Sequence, residues 1–261
     1  MKKLISGAAL ILTLATPFAV FADETPSAQN GASARIAAGS NSTCDERTAL
    51  RLTNLEHRRA DADTKLTQRR TDEETRLERH RTDATKRLSE HRTNEDAHLM
   101  RYRMERNSHA YKSDATKAAF ETYNVAVDAA TKIRRETIDA VMKTFQTAQD
   151  AALKTRHDAV DAAVKARRAA IDAALSTWKI RCTGTEAERQ AANKALRDAV
   201  SAAHTTSQTV IKAAQSAFES TMKPARATRD AAEKVARETF RSSIKIAHDI
   251  LQQARQAAVK K

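Results

Sequence analysis

The feature that most constrains this chain is a repeat of eleven residues, which occurs in two forms. In the first half each unit begins with an arginine, and the units start at Arg59, Arg70, Arg81 and Arg92. In the second half each unit has an aspartate in second place, and the units start at Val127, Ile138, Gln149, Val160 and Ile171. Eleven residues make three turns of α-helix, so side chains at this period form a nearly straight seam. The repeat therefore predicts long helices that pack along their length.

The first 22 residues have the pattern of a secretory signal peptide. Two lysines precede an apolar stretch at 4–20, and Ala22 is a small residue suited to cleavage before Asp23. Residues 23–42 are rich in Ala, Ser, Gly and Thr, which predicts a flexible linker. We therefore expect an exported protein of the periplasm, the cell surface or the extracellular space, with residues 43–261 as a helical rod.

The first two helices are separated by a break in the repeat. The repeat loses its phase between Leu99 and Val127, and residues 107–109 in that gap are poor helix formers. We therefore expect one helix over about 45–107 and a second over about 113–181.

A third helix is predicted over about 186–260. Gly184 breaks the chain, and Thr185 with Glu188 forms a capping box that starts a new helix. Pro224 lies within this helix and should kink it, because proline removes one backbone hydrogen bond.

The only two cysteines indicate how the rod folds back. Cys44 lies just before the first helix and Cys182 just after the second, and exported proteins meet oxidising conditions. Their midpoint, residue 113, lies close to the break in the repeat. A Cys44–Cys182 disulfide would pair residue i with residue 226 − i. That alignment lays the leucines of the first repeat on the apolar stripe of the second: Leu55, Leu66, Leu77, Leu88 and Leu99.

These observations predict an all-α fold, an elongated antiparallel three-helix coiled-coil bundle with eleven-residue repeats. The alternative is one very long extended helix, followed by C-terminal helices, that associates between chains. In either arrangement most units place an acid four residues before a base, as in Asp128–Lys132 and Asp150–Lys154. Such spacing predicts ion pairs within each helix.

No pattern of catalytic or metal-binding residues occurs in the sequence, so we expect neither an enzyme nor a cofactor. His80, His91, His98 and His109 share a helix face, but they are more than one turn apart and would not reach one metal ion. Trp178 and Ile180, close to Cys182, are expected to pack the base of the rod.

Charge and repeat together suggest what the protein binds. The net charge of +13 predicts anionic partners, namely lipid headgroups or envelope polymers, with nucleic acid less favoured. A second copy of the chain is another candidate partner. The repeat is similar in period and composition to those of apolipoproteins, synucleins and some late-embryogenesis-abundant proteins, and this resemblance implies lipid-surface binding. Our primary prediction is an exported, non-enzymatic structural or interaction protein of the cell envelope, a spacer, scaffold or client-binding rod. The alternative is a basic protein that binds polyanions or lipid surfaces.

Overall fold

The computed structural model describes residues 43–108 and 114–259 of the chain. They form three α-helices: α1 at Cys44–Ser108, α2 at Asp114–Arg181 and α3 at Glu186–Val259. No strand occurs within the two described ranges. The prediction of an all-α bundle of three helices is confirmed, and the single extended helix of the alternative is wrong.

Several sequence predictions lie outside the described residues. These are the signal peptide at 1–22, the linker at 23–42, and the turn at 109–113 with His109. The last two residues of the chain, 260–261, also lie outside them.

The turn between α2 and α3 is formed by the residues that the sequence singles out. The backbone N–H of Thr185 donates to Glu188 Oε2 at 2.6 Å, and the N–H of Glu188 donates to Thr185 Oγ1 at 3.4 Å. This is the predicted capping box. A Cβ atom at Gly184 would collide with the Glu188 carboxylate, so glycine suits this position. α3 continues through Pro224, and the kink stays a prediction.

α2 and α3 form the tightly packed part of the bundle. Their backbones approach each other closely over most of their length, whereas α1 and α2 do so only locally. Small side chains explain the difference, because the distance between helix axes depends on the residues at the contact. The buried residues of these two helices include many alanines: Ala130, Ala152, Ala163, Ala192, Ala203, Ala214, Ala236 and Ala247.

α1 is the peripheral helix. Of its described side chains only Thr48 is buried, and the five repeat leucines are half-buried. At the base of the rod, Leu55 and Ile171 pack against one cluster of buried residues on α2 and α3, as the 226 − i alignment predicts. A helix with so thin an apolar stripe needs other interactions to hold it in the bundle.

Candidate functional site

The base of the rod brings the two cysteines together. The Cα atoms of Cys44 and Cys182 are 5.9 Å apart, within the range of a disulfide. In a continuous helix over the same residues they would be about 200 Å apart, at about 1.5 Å per residue. The pairing therefore closes the ends of α1 and α2 as the sequence predicts.

Trp178 joins all three helices beside this pair. Its ring is buried, and its Nε1 donates to Asn193 Oδ1 on α3 at 3.0 Å. The guanidinium of Arg51 on α1 lies over the ring, 4.1 Å from its centroid. The prediction for Ile180 is wrong, because this side chain is 79% exposed. Residues two apart on a helix point in nearly opposite directions, so Trp178 and Ile180 do not pack on one core.

Five ion pairs, which we call the ladder, join α1 to α2. The rungs are eleven residues apart on both helices, and the two residue numbers of every rung add up to 231. Each arginine is about three-quarters buried, whereas each aspartate is about half exposed. The rungs are Arg59–Asp172, Arg70–Asp161, Arg81–Asp150, Arg92–Asp139 and Arg103–Asp128.

The ladder is consistent with the backbone alignment set by the cysteines, because long side chains lean toward the N-terminus of their own helix. Arg59 Nη2 donates to the backbone carbonyl of Arg168 at 3.4 Å, one position from the residue that 226 − i specifies. The same nitrogen donates at 2.6 Å to Asp172, whose carboxylate reaches back over one turn of α2. Each rung therefore joins residues that a simple alignment places about one turn apart.

The prediction that the α2 aspartates pair with lysines of the same helix is wrong. Asp150 and Asp128 bind arginines of α1, while Lys154 pairs with Asp158 at 2.6 Å and Lys132 lies 3.8 Å from Glu136. A guanidinium that is about three-quarters buried is a planar, fixed donor. An exposed lysine loses side-chain entropy for a weak, solvent-screened contact. The interhelical partner therefore takes the aspartate.

Arginine–aromatic pairs connect α2 to α3 and alternate along the rod. Positions eleven apart on α2 read Arg, Phe, Arg, and the partners on α3 read Phe, Arg, Phe. Every layer thus contains one guanidinium and one ring, a contact that is stronger when shielded from water. The distances from guanidinium carbon to ring centroid are 4.1 Å for Arg134–Phe240, 4.7 Å for Arg229–Phe145 and 4.9 Å for Arg156–Phe218.

α1 completes the two layers in which α2 supplies arginine. Glu95 accepts a hydrogen bond from Arg134 at 2.5 Å, and Glu73 accepts one from Arg156. The Arg156 side chain is only 6% exposed, so this is the most deeply buried arginine in a described ion pair. Buried charges of this kind require their partners, because an unpaired charge in the interior is costly.

The charge pattern also selects the register of α1. Ala84 lies midway between Glu73 and Glu95, level with the layer in which α2 supplies Phe145. A shift of α1 by one repeat would keep most ladder rungs, since these are equivalent at intervals of eleven. It would, however, place Glu95 against the phenyl ring and leave the Arg156 guanidinium facing Ala84. The alternation of Glu and Ala on α1 therefore excludes a register that the ladder alone would accept.

The layer at Glu95 perturbs two carboxyl groups. Burial alone would raise the pKa of Glu95, but hydrogen bonds from Arg134 and Arg135 outweigh burial and lower it below its usual value. The hydrogen bond from Arg135, with burial opposing it, lowers the pKa of Asp96 as well. Both groups therefore favour the folded state in their ionised form.

Acid is expected to weaken this layer, because the pKa values of Glu95 and Asp96 are lowered in the folded chain. A carboxyl group whose pKa is lower in the folded chain stabilises it above the unfolded pKa, about 4.3 for Glu. That contribution disappears as pH falls through the lower, folded value. We expect the unfolding free energy of the native sequence to fall more steeply below pH ~4 than that of Glu95→Gln. Urea unfolding at a series of pH values measures both slopes. Glu78→Gln, on an exposed side chain of the same helix, is the control, and equal slopes for all three proteins would contradict the assignment.

An open groove of about 550 Å³ lies between two neighbouring rungs of the ladder, Arg70–Asp161 and Arg81–Asp150. Leu77 and Leu153 supply its apolar surface, and charged side chains of both signs line the rest. Within residues 43–108 and 114–259, no three side chains of the metal-binding types come together. The exposed histidines His80, His91 and His98 are therefore not assembled into a metal site, and we assign no chemistry to the groove.

The end of the rod opposite the cysteines is rich in aromatic and apolar residues. Phe120 is buried, with ring centroids 6.5 Å from Tyr102 and 6.1 Å from Tyr123. Met100 and Met104 on α1 are more than 60% exposed nearby in the sequence. Flexible, polarisable methionine side chains are common on surfaces that bind other proteins.

Comparison with known proteins identifies no relative. No protein-family model, curated protein or solved structure matches this chain. Within the part of the chain that the structure describes, none of the helices is apolar over a stretch long enough to span a bilayer.

Proposed function

We propose that this protein is an exported, non-enzymatic helical rod of the cell envelope that acts as a spacer or scaffold for other components. Its length is fixed by the ladder and by the Arg–Phe layers, and its base is closed by the cysteine pair. The apolar end near Met100 and Met104 is the part best suited to contact a partner protein.

The observation that carries this proposal is the five-rung ladder. Four intervals of eleven residues cover about 66 Å at about 1.5 Å per residue, and every interval repeats the same contact. The ladder holds α1 and α2 along one axis, and the Glu73–Arg156 and Glu95–Arg134 pairs select one register, which keeps the ends of the rod at a constant separation. A constant separation is the property that a spacer requires.

Two sequence features support the export part of the proposal. Residues 1–22 have the basic start, apolar stretch and small residue of a signal peptide. The paired positions of the only two cysteines suit an oxidising compartment, where disulfides form and persist.

A rod shortened by one repeat tests the spacer role. Deleting residues 79–89, 140–150 and 224–234 together removes one complete layer from all three helices and leaves the remaining rungs in phase. We expect a folded rod about 16 Å shorter, as measured by small-angle scattering. Mass spectrometry of the exported chain should show that it begins at Asp23. We expect the shortened rod to fail to complement the envelope phenotype caused by loss of the gene.

The matched control keeps the length and changes the same layer. The triple variant Ala84→Glu, Phe145→Arg and Arg229→Phe converts the middle layer to the type found on either side of it. We expect this full-length variant to complement the phenotype, because the Cys44–Cys182 pair still aligns α1 with α2. If the shortened rod complemented the phenotype as well as the full-length control, the spacer role would be excluded and only a role in binding would remain.

A further inference from the structure

α3 carries a straight row of exposed lysines. Lys212, Lys223, Lys234 and Lys245 are all exposed and lie eleven residues apart, so they share one face of the helix. At about 1.5 Å per residue the row is about 50 Å long. Among the described residues, only Lys234 of these four has an ion-pair partner, Glu238 at 3.9 Å. The row is a line of evenly spaced positive charges.

The row lies toward the side of α3 that faces α1. Asn193 of α3 accepts a hydrogen bond from Arg51 of α1 at 3.1 Å, which identifies that side. Arg226 follows Asn193 by three repeats of eleven and so occupies the same face. Lys223 precedes Arg226 by three residues, which makes it the neighbouring position on the helix surface.

α1 carries a second basic row toward the same side. Lys65, Arg76 and Arg87 are exposed and again lie eleven residues apart. These three residues lie three positions after 62, 73 and 84, which belong to another row of the same spacing that begins at Arg51. The ladder arginines lie on the opposite side of that row and contact α2. We call the lysine row of α3 and this row of α1 together the α1–α3 face.

We infer that the α1–α3 face binds a flexible anionic polymer that lies along the rod. The inference names a partner for the rod proposed above and rests on that proposal. Like charges repeated at about 16 Å along a straight line attract an extended polyanion, which carries many charges over the same length. The rows contain no large apolar side chain, and Val235 and Ile246 each lie one residue beyond a lysine, about a quarter turn away. A surface that inserts into a bilayer needs such residues, so a hydrated polymer fits better.

α2 provides a matched control row. Lys132, Lys143, Lys154 and Lys165 are also exposed and eleven residues apart. Each follows a ladder aspartate by four residues. Lys154 lines the groove together with Asp150, Asp158 and Asp161. The α2 lysines therefore have the same number and spacing as the α3 row, but all four follow an aspartate by four residues, whereas only Lys223 and Lys234 of the α3 row follow an acid at that spacing.

The test compares two quadruple Lys→Gln variants that lose the same net charge, one in the α3 row and one in the α2 row. The probe is long-chain inorganic polyphosphate, with vesicles of anionic or neutral phospholipid as separate arms. We expect the α3 variant to bind polyphosphate at least about tenfold more weakly than the native chain at ~0.1 M salt. We also expect its affinity to depend less on salt concentration. We expect the α2 variant to bind within about twofold of the native chain. Circular dichroism and the thermal midpoint establish that both variants are folded.

Three outcomes would overturn the inference. An equal loss in both variants would mean that net charge alone attracts the polymer. Unchanged binding in the α3 variant, or no binding by the folded native rod, would remove the α1–α3 face as the site. Tighter, salt-insensitive binding to vesicles would replace the polymer by a membrane surface. None of these results bears on the spacer role, which the shortened rod tests separately.

Discussion

Replacing both Cys44 and Cys182 by serine is expected to lower the unfolding free energy by up to about 5 kcal/mol. The bond would close a loop with a sequence separation of 138 residues, and long loops gain the most in the chain-entropy account. α1 should be destabilised most, because its repeat leucines are only half-buried and its base is fixed by the cysteine pair. Denaturant unfolding measures the total, and hydrogen exchange should show greater loss of protection in α1 than in α2 and α3.

The double-serine variant also supplies its own control. A reducing agent should destabilise the native chain and leave the variant unchanged, since the variant has no bond to reduce. Peptide mapping without reduction should recover Cys44 joined to Cys182 in the native protein. Free thiols, or links only between different chains, would contradict the pairing. Equal loss of protection in all three helices would contradict the view that α1 depends on it most.

The eleven-residue repeat and the residues that end or begin helices made the fold predictable from sequence. The eleven-residue repeat identifies the helices, and the single glycine of the rod with the capping box at Thr185 locates the second turn. The cysteine spacing then aligns α1 with α2, and Leu55 packs beside Ile171 as that alignment requires. These signals are local or depend on spacing alone, so they need no knowledge of which side chains meet.

The ladder was not predicted, although its signal is present in the sequence. Every unit of the first repeat begins with arginine, and every unit of the second has an aspartate in second place. Local ion pairs with lysines such as Lys154 explained those aspartates equally well. The deciding information is the lean of long side chains toward the helix N-terminus, which displaces each contact by about one turn from the backbone alignment. A search for pairs with a constant sum near 226 would have found them.

The alternating layers could not be predicted for a different reason. Arg156 occupies an apolar position of the stripe, and the sequence alone does not say what would satisfy a charge there. Its partners come from two other helices, Glu73 on α1 and Phe218 on α3. The alignment of α1 with α2 and that of α2 with α3 must both be known before the three residues can be recognised as one layer. Such layers encode register, which a repeating apolar stripe leaves undefined at intervals of eleven.

Substituting Glu73 by alanine is expected to lower the unfolding free energy by about 2–3 kcal/mol, the largest effect of a single substitution on α1. The carboxylate accepts a hydrogen bond from Arg156 and lies 3.2 Å from His157 Nε2. Without it, the guanidinium keeps its place over Phe218 but loses its counter-charge in a site that water barely reaches. The expected cost lies below that of a fully buried pair, because the Glu73 side chain is 23% exposed. Urea unfolding at neutral pH measures the difference.

Glu74→Ala is the matched control, since it removes the same charge from the adjacent, exposed position of α1. We expect this control to change stability by less than about 0.5 kcal/mol. A second comparison separates the ion pair from simple loss of volume. Glu73→Leu with Arg156→Leu replaces the pair by two apolar side chains, and we expect this double variant to be more stable than Glu73→Leu alone, because no unpaired charge remains. If Glu73→Ala cost no more than Glu74→Ala, or if the double variant were the less stable, the buried pair would not be what fixes the register of α1.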